Sequence, residues 1–137
     1  RIGITQKKSM TVAPGADADD VIYRFMDEHG RAWGARPEII ARASRVLTEF
    51  VESARMLGLA ENDIQTTAIF DEFNLDIALY YKGRPMDFSA AVPTPEEVLA
   101  DESALARLSA GIIRRSVDRL TFEETLRFVN VRFHFDH

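Results

Sequence analysis

The 137-residue chain contains no cysteine, and this absence excludes several kinds of protein at once. Without a thiol there is no disulfide scaffold, no thiolate nucleophile and no cysteine-based zinc site. No apolar run approaches the roughly 20 residues of a membrane-spanning helix, and no signal peptide is recognisable. The seven glycines are scattered, so the chain holds neither a G-x-G-x-x-G motif nor a Walker phosphate-binding loop.

A net positive charge is also missing. The 17 Lys and Arg residues against 22 Asp and Glu residues give a formal net charge of −5, the wrong sign for a general nucleic-acid binder. The start of the chain differs, because Arg1, Lys7 and Lys8 all precede the first acidic residue, Asp17. Such a basic start is typical of a solvated tail and also of the cytoplasmic flank of a membrane helix. Since the chain begins with Arg1 rather than Met, we expect it to have been cut from a longer protein or processed.

Periodicity in the rest of the chain predicts nine elements. Alternation of apolar and polar residues predicts strands, over residues 9–12, 64–70, 75–81, 117–122 and 126–135. Apolar residues at three- and four-residue spacing predict helices over residues 17–30 and 37–57 and a later helix that carries residues 105–113. Between them, the order of a capping box at residues 94–97 predicts a short helix that runs to about residue 100. Gly30 is a predicted stop for the first helix, with Gly34 closing the stretch around Trp33. Glu123–Glu124 is the predicted turn of the last hairpin. On the last strand, alternate residues Val129 to Phe135 are predicted to face the core.

The order of these elements predicts the fold class. Strands come in hairpins and helices come consecutively, which favours a mixed or antiparallel sheet with helices on one face. We therefore predict an α+β two-layer sandwich. No repeat, linker or low-complexity stretch interrupts the chain, so residues 1–137 are predicted to form a single domain.

The C-terminal segment has the composition of a metal site. His134, Asp136 and His137 offer imidazole and carboxylate ligands, which suit zinc or iron. On a strand, however, His134 and Asp136 face one way and His137 faces the other. A structural cluster at the sheet edge is therefore the favoured interpretation, and a metal-dependent enzyme is the alternative.

Two other groups of residues admit a chemical and a structural interpretation. Asp71, Glu72 and Asp76 could supply paired carboxylates for acid–base catalysis. Aspartate is also favoured in a hairpin turn, however, because its side chain forms hydrogen bonds with the nearby backbone. Trp33 lies between Arg31 and Arg36 and could be a stacking platform, but such a residue is more typical of an anchor between helices.

The order of elements and three short segments resemble the GHKL (Bergerat) ATP-binding fold of anti-sigma-factor kinases and histidine kinases. Residues 47–54 resemble the N-box helix, L-x-E-x-x-x-N-A, with Glu49 at the glutamate position and Ser53 at the metal-binding asparagine. Tyr81 and Gly83 fall in a segment resembling D-x-G-x-G, and Tyr81 replaces the adenine-binding aspartate. Residues 105–109 resemble G-x-G-L-G with each glycine replaced, and Arg107 lies where phosphates need space.

The GHKL resemblance with these replacements implies a pseudo-ATPase. The nucleotide pocket would be degenerate, with Glu49, Ser53, Tyr81, Gly83 and Arg107 at its positions. We accordingly expect no catalytic residues, no bound cofactor and no enzymatic activity. The alternative is an ATP-binding serine kinase or regulatory domain of the anti-sigma-factor type that retains Glu49.

Several segments also resemble the soluble tail of bacterial xanthine/uracil permeases of the nucleobase–cation symporter family. They are residues 1–4, 32–36, 70–76, 81–83 and 134–137. This resemblance implies a non-catalytic accessory or regulatory domain of a nucleobase transporter, at the cytoplasmic face of the inner membrane. Residues 1–8 would be the juxtamembrane tail. The implied partner is the membrane domain of the same chain, with a further protein or a small regulatory ligand as other possibilities.

Overall fold

Five strands and four helices make up residues 4–137, the part of the chain that the computed structural model describes. In chain order they are β1 (Gln6–Val12), α1 (Ala18–Trp33), α2 (Pro37–Leu57), β2 (Ile64–Phe70), β3 (Asn74–Lys82), α3 (Pro95–Ala100), α4 (Glu102–Ser116), β4 (Arg119–Thr125) and β5 (Phe128–Asp136). The predicted order of elements is confirmed. Of the tail predicted over residues 1–8, residues 6–8 belong to β1, and residues 1–3 lie outside the described range.

The strands form one sheet in the order β1-β2-β3-β5-β4, and every neighbouring pair is antiparallel. The predicted α+β class is therefore confirmed, and the sheet is antiparallel rather than mixed. The two hairpins, β2–β3 and β4–β5, are joined by pairing of β3 with β5 near the centre of the sheet. β1 and β4 are left as its two edges.

One face of the sheet carries the hydrophobic core. Val129, Val131, Phe133 and Phe135 of β5 are all buried there, as the alternation predicts. The core-facing residues of α1 and α2 recur at helical spacing and pack over this face. No helix in residues 4–137 has the length and apolar character required to cross a lipid bilayer.

The predicted stop of the first helix at Gly30 was wrong. α1 continues to Trp33, and Gly34 ends it in the left-handed conformation, with φ 69°. Gly30 serves close packing instead, because a Cβ atom at this position would lie 2.8 Å from Cγ1 of Ile40 on α2. The glycine therefore allows the two helices to approach each other.

The predicted turn at Glu123–Glu124 was also wrong. Both residues lie in β4, and the chain reverses at Leu126–Arg127, where Arg127 has φ 74°. The acidic pair is compatible with a strand because β4 is an edge strand whose side chains are largely exposed to water. Leu126, an apolar residue, occupies the turn and is 90% exposed.

Candidate functional site

The glutamate of the N-box-like helix contacts another helix directly. Ser109 on α4 donates a hydrogen bond from Oγ to Oε1 of Glu49 on α2. Ser109 is buried, and Ala110 and Ile113 of α4 are buried beside it. The two segments that resemble nucleotide-binding motifs, residues 47–54 and 105–109, are thus in contact with each other.

The segment between β3 and α3 also packs into the core. Met86 and Phe88 are 3% and 5% exposed and belong to the main hydrophobic cluster. The Phe88 ring lies 6.5 Å from the ring of Phe133 on β5. Further along, Arg114 of α4 donates to the carbonyl oxygen of Ala90 at 3.3 Å. These contacts hold the segment against the sheet and α4.

Tyr81, at the position of the adenine-binding aspartate, is buried and hydrogen-bonded within its own chain. Its hydroxyl donates to the carbonyl oxygen of Arg84 at 2.8 Å. Burial, with the Glu124 carboxylate nearby, raises the pKa of the Tyr81 phenol above its ordinary value. The hydroxyl is therefore protonated at neutral pH and supplies no carboxylate-like acceptor.

Gly83 has a backbone role. Its φ is 150°, and a Cβ atom here would lie 1.8 Å from the carbonyl oxygen of Leu59. Its N–H donates to the carbonyl oxygen of Arg127 at 2.7 Å. Gly83 is therefore required where the end of β3 passes the segment after α2, independently of any ligand.

The last two residues of the nucleotide pocket that the GHKL resemblance implies are Arg107 and Ser53. Arg107 forms an ion pair with Glu97 of α3, with Nη2 3.3 Å from Oε2. Glu97 also closes the capping box with Thr94 at the start of α3. Ser53 is buried in α2. Tyr81 contacts α2 through the ring of Phe50, at 6.0 Å between centroids, whereas Arg107 pairs with α3.

The three C-terminal residues with metal-ligating side chains are only partly brought together. His134 is buried, with Nδ1 2.9 Å from Oδ1 of Asp76 and Nε2 2.9 Å from Oδ1 of Asp136. His137 lies elsewhere, where its Nε2 accepts the backbone N–H of Arg36 at 3.0 Å. Within the described range, no group of three or more His, Asp or Glu side chains is arranged to hold a metal ion.

His134 occupies the face of the sheet that carries no helix. There it lines a cavity of about 440 Å³, together with Asn74, Asp76, Arg119, Thr121 and Arg132. Arg132 donates from Nε to Oδ1 of Asp76 at 3.2 Å. The members of this polar cluster come from three strands, so no local pattern in the sequence predicts it. The signal that finds it is the strand register, which pairs Asp76 with His134 and His134 with Arg119.

Three of the segments that resemble the permease tail, residues 32–36, 70–76 and 134–137, meet at one end of the sheet, whereas residues 81–83 lie at the other end of β3. Trp33 stacks on Phe70 with ring centroids 5.3 Å apart, and His137 packs edge-on against Phe70 at 4.9 Å. The ring of His137 also donates from Nδ1 to the carbonyl oxygen of Glu72 at 2.9 Å. These contacts join the end of α1, the β2–β3 turn and the end of β5.

Asp71 takes the turn role that its position favours. Its Oδ1 accepts the backbone N–H groups of Phe73 and Asn74, each at 2.8 Å. The hydrogen bond from the Phe73 N–H is the main cause that holds the pKa of Asp71 below its ordinary value. Asp76 instead reaches His134 across the sheet, so Asp71 and Asp76 do not act as a pair.

Comparison with known proteins identifies the fold. No protein-family model matches the chain, and no curated protein matches it. Among solved structures, a chain in the crystal structure of the SiaB–SiaC complex from Pseudomonas aeruginosa is similar, with a TM-score of 0.64 and 15% identity. The match covers 93% of this chain and 88% of that chain. At this identity the likeness shows a shared fold and nothing finer.

Proposed function

We propose that this domain is a non-catalytic regulatory domain that acts by binding another protein, on a GHKL-like scaffold whose nucleotide cleft is closed. The observation that carries the proposal is the hydrogen bond from Ser109 to Glu49, which joins α4 to α2. On the scaffold that the motifs resemble, these two segments would lie on either side of the nucleotide. Because the two segments are in direct contact, the Glu49 carboxylate is hydrogen-bonded to Ser109 instead of facing an open cleft.

The close packing and the balanced charge of the residues around the proposed cleft also support this proposal. Met86 and Phe88 are buried in the core immediately after β3, where a nucleotide-binding loop would have to leave an opening. Arg107 is paired with Glu97, so its charge is balanced within the helical pair α3–α4. Tyr81 also lacks the carboxylate that would select adenine. Binding a nucleotide would therefore require several packed groups to separate.

The likeness to a chain from a two-protein complex supports a protein partner. That structure is described as the complex of SiaB with SiaC. A similar fold thus occurs in a protein–protein assembly, and we propose a protein partner for this domain rather than a nucleotide. An enzymatic role is not part of the proposal.

Adding magnesium and ATP in a thermal-shift assay tests the closed cleft. We expect the melting temperature to stay unchanged at millimolar nucleotide. A ligand present at 100 times its dissociation constant would add about 2.7 kcal/mol to the free energy of unfolding, which raises the melting temperature by several degrees. Such a rise, abolished in a Glu49→Gln variant, would favour the ATP-binding kinase alternative and overturn the proposal.

We further propose that the regulated protein is a nucleobase permease that contains this domain as its cytoplasmic tail at the inner membrane. The segments resembling the xanthine/uracil permease family support this, and the membrane domain of the same chain would then be the partner. The coding sequence upstream of Arg1 tests it. A series of hydrophobic helices there is the expected result, and an upstream region without them would overturn the permease context while leaving the closed cleft intact.

A further inference from the structure

β4 is an edge strand with one unpaired side. It pairs with β5, and no strand among residues 4–137 pairs with its other side. Its residues are exposed almost throughout, including Phe122, which is 51% exposed although it belongs to the face that carries the helices. An unpaired edge of this kind presents backbone donors and acceptors to another chain.

The two edges of the sheet differ in how well they are protected. β1, at the opposite edge, carries Lys7 and Lys8, and lysine on an edge strand discourages pairing with another strand. β4 contains neither lysine nor proline. It is therefore the edge that is open to strand addition.

The sequence of β4 is complementary to itself in one antiparallel register. When two copies pair about a two-fold axis at Thr121, Arg119 of each copy lies opposite Glu123 of the other. Both residues belong to the helix-free face of the sheet, where they pair with His134 and Asn130 of β5. Neither forms an ion pair within residues 4–137.

Within β4, the apolar side chains of the other face fit the same register. Leu120 of one copy lies opposite Phe122 of the other, so two partly exposed apolar side chains meet. A register centred on Phe122 would instead place Leu120 opposite Glu124, and one centred on Glu123 would place that glutamate opposite itself. Opposite charges and apolar side chains stabilise cross-strand pairs, whereas like charges destabilise them.

We propose that two copies of this chain associate through β4, antiparallel and centred on Thr121, so that their sheets form one continuous sheet. The helices of both copies then cover the same face. This association is independent of the proposed function, because it uses the edge of the sheet and leaves the contact of α2 with α4 unchanged.

A single cysteine tests the register directly, since the natural chain has none. In Thr121→Cys the two thiols would face each other across the axis, with Cα atoms about 4.5–5.5 Å apart, within the range that a disulfide spans. We expect a disulfide-linked dimer on mild oxidation. Thr11→Cys, an exposed position on β1, is the matched control and should stay monomeric. Failure of Thr121→Cys to cross-link, or equal cross-linking of both variants, would overturn the proposal.

Charge reversal supplies a second measurement that does not depend on oxidation. In sedimentation equilibrium, Arg119→Glu should weaken dimerisation about tenfold, because each of the two symmetric ion pairs becomes a like-charge pair. The combined variant Arg119→Glu/Glu123→Arg should restore the original dissociation constant. A circular dichroism spectrum matching that of the natural chain shows that each variant is folded. A natural chain that stays monomeric at several hundred micromolar would refute the proposal.

Discussion

At the scale of one residue, Gly83 allows the end of β3 to pass close to the segment after α2 because it has no side chain. The carbonyl oxygen of Leu59 lies 1.8 Å from the position that a Cβ atom of residue 83 would take. The N–H of Arg84, the residue after Gly83, donates to that same oxygen at 2.9 Å. The glycine in the D-x-G-x-G-like segment is thus explained by the path of the backbone.

Gly83→Ala is expected to lower the free energy of unfolding by at least about 2 kcal/mol. The added Cβ would both strain the backbone at φ 150° and displace the Leu59 carbonyl. Urea denaturation measures the change. Gly15→Ala is the control, because a Cβ there meets nothing within 4 Å, and its effect should stay within about 0.5 kcal/mol. Equal effects of the two substitutions would contradict the argument.

Tyr81 makes stability depend on pH in the alkaline range. The pKa of its phenol is raised in the folded state, whereas the unfolded chain releases the proton at the ordinary value of 10.0. Above about pH 10 the unfolded state therefore binds fewer protons than the folded state, and stability falls as the pH rises.

Tyr81→Phe is expected to remove this contribution. At pH 7 the variant should be about 1 kcal/mol less stable, since the hydrogen bond to the Arg84 carbonyl is lost. Above pH 10 the difference should shrink, because only the natural chain loses stability through this phenol. Urea denaturation at a series of pH values between 7 and 11 measures both. A difference that is constant with pH would show that the raised pKa is wrong.

At the scale of elements, the proposed closure of the nucleotide cleft depends on the contact between α2 and α4. Ser109 and Glu49 are 60 residues apart in the chain and form the polar part of this contact. α4 also closely approaches the segment before α3, since a Cβ atom at Gly111 would lie 3.0 Å from Cγ2 of Val92. The helix and the preceding segment are thus packed together against the rest of the domain.

A double-mutant cycle with Glu49→Ala and Ser109→Ala should give a coupling free energy of about 1–2 kcal/mol, because the hydrogen bond to the carboxylate is partly buried. The matched control is the pair Glu52 and Arg55, which lies on an exposed part of α2. Its coupling should be clearly smaller, because an exposed ion pair contributes little to stability. Equal couplings in urea denaturation would mean that the contact of α2 with α4 contributes no more than a surface ion pair.

At the scale of the whole molecule, one hydrophobic cluster links all five strands of the sheet to the helices. It includes buried residues from α1, α2, α4 and the segment after β3, with Val12, Leu120 and the central strands beneath them. The single tryptophan, Trp33, is buried at the end of the sheet where α1 meets β2 and the C-terminus. It therefore reports on contacts between distant parts of the chain.

We expect the domain to unfold in one cooperative step. Trp33 fluorescence and far-ultraviolet circular dichroism should give coincident transitions in urea, because the helices and the sheet share one core. An earlier transition by circular dichroism would contradict this. It would show that part of the secondary structure, such as α3, which has no buried residue, unfolds before the contacts around Trp33 are lost.

The sequence by itself determined the elements and their order. Local signals were sufficient for this: Pro37 starts α2, Thr94 and Glu97 form a capping box, and alternate residues of β5 are apolar. These patterns depend only on residues that are close in the sequence, so they can be recognised without knowledge of the tertiary structure. They were misleading at Gly30 and at Glu123–Glu124, where packing against Ile40 and exposure at a sheet edge outweighed local preference.

Only the tertiary structure decided what the candidate site residues do. His134 meets Asp76 from 58 residues away, and His137 meets the backbone of Arg36 instead of a metal. The closed contact of Glu49 with Ser109 depends on how two helices pack over the sheet. Such contacts join residues that are distant in the chain, and their geometry follows from the volume and register of the assembled core rather than from any local pattern.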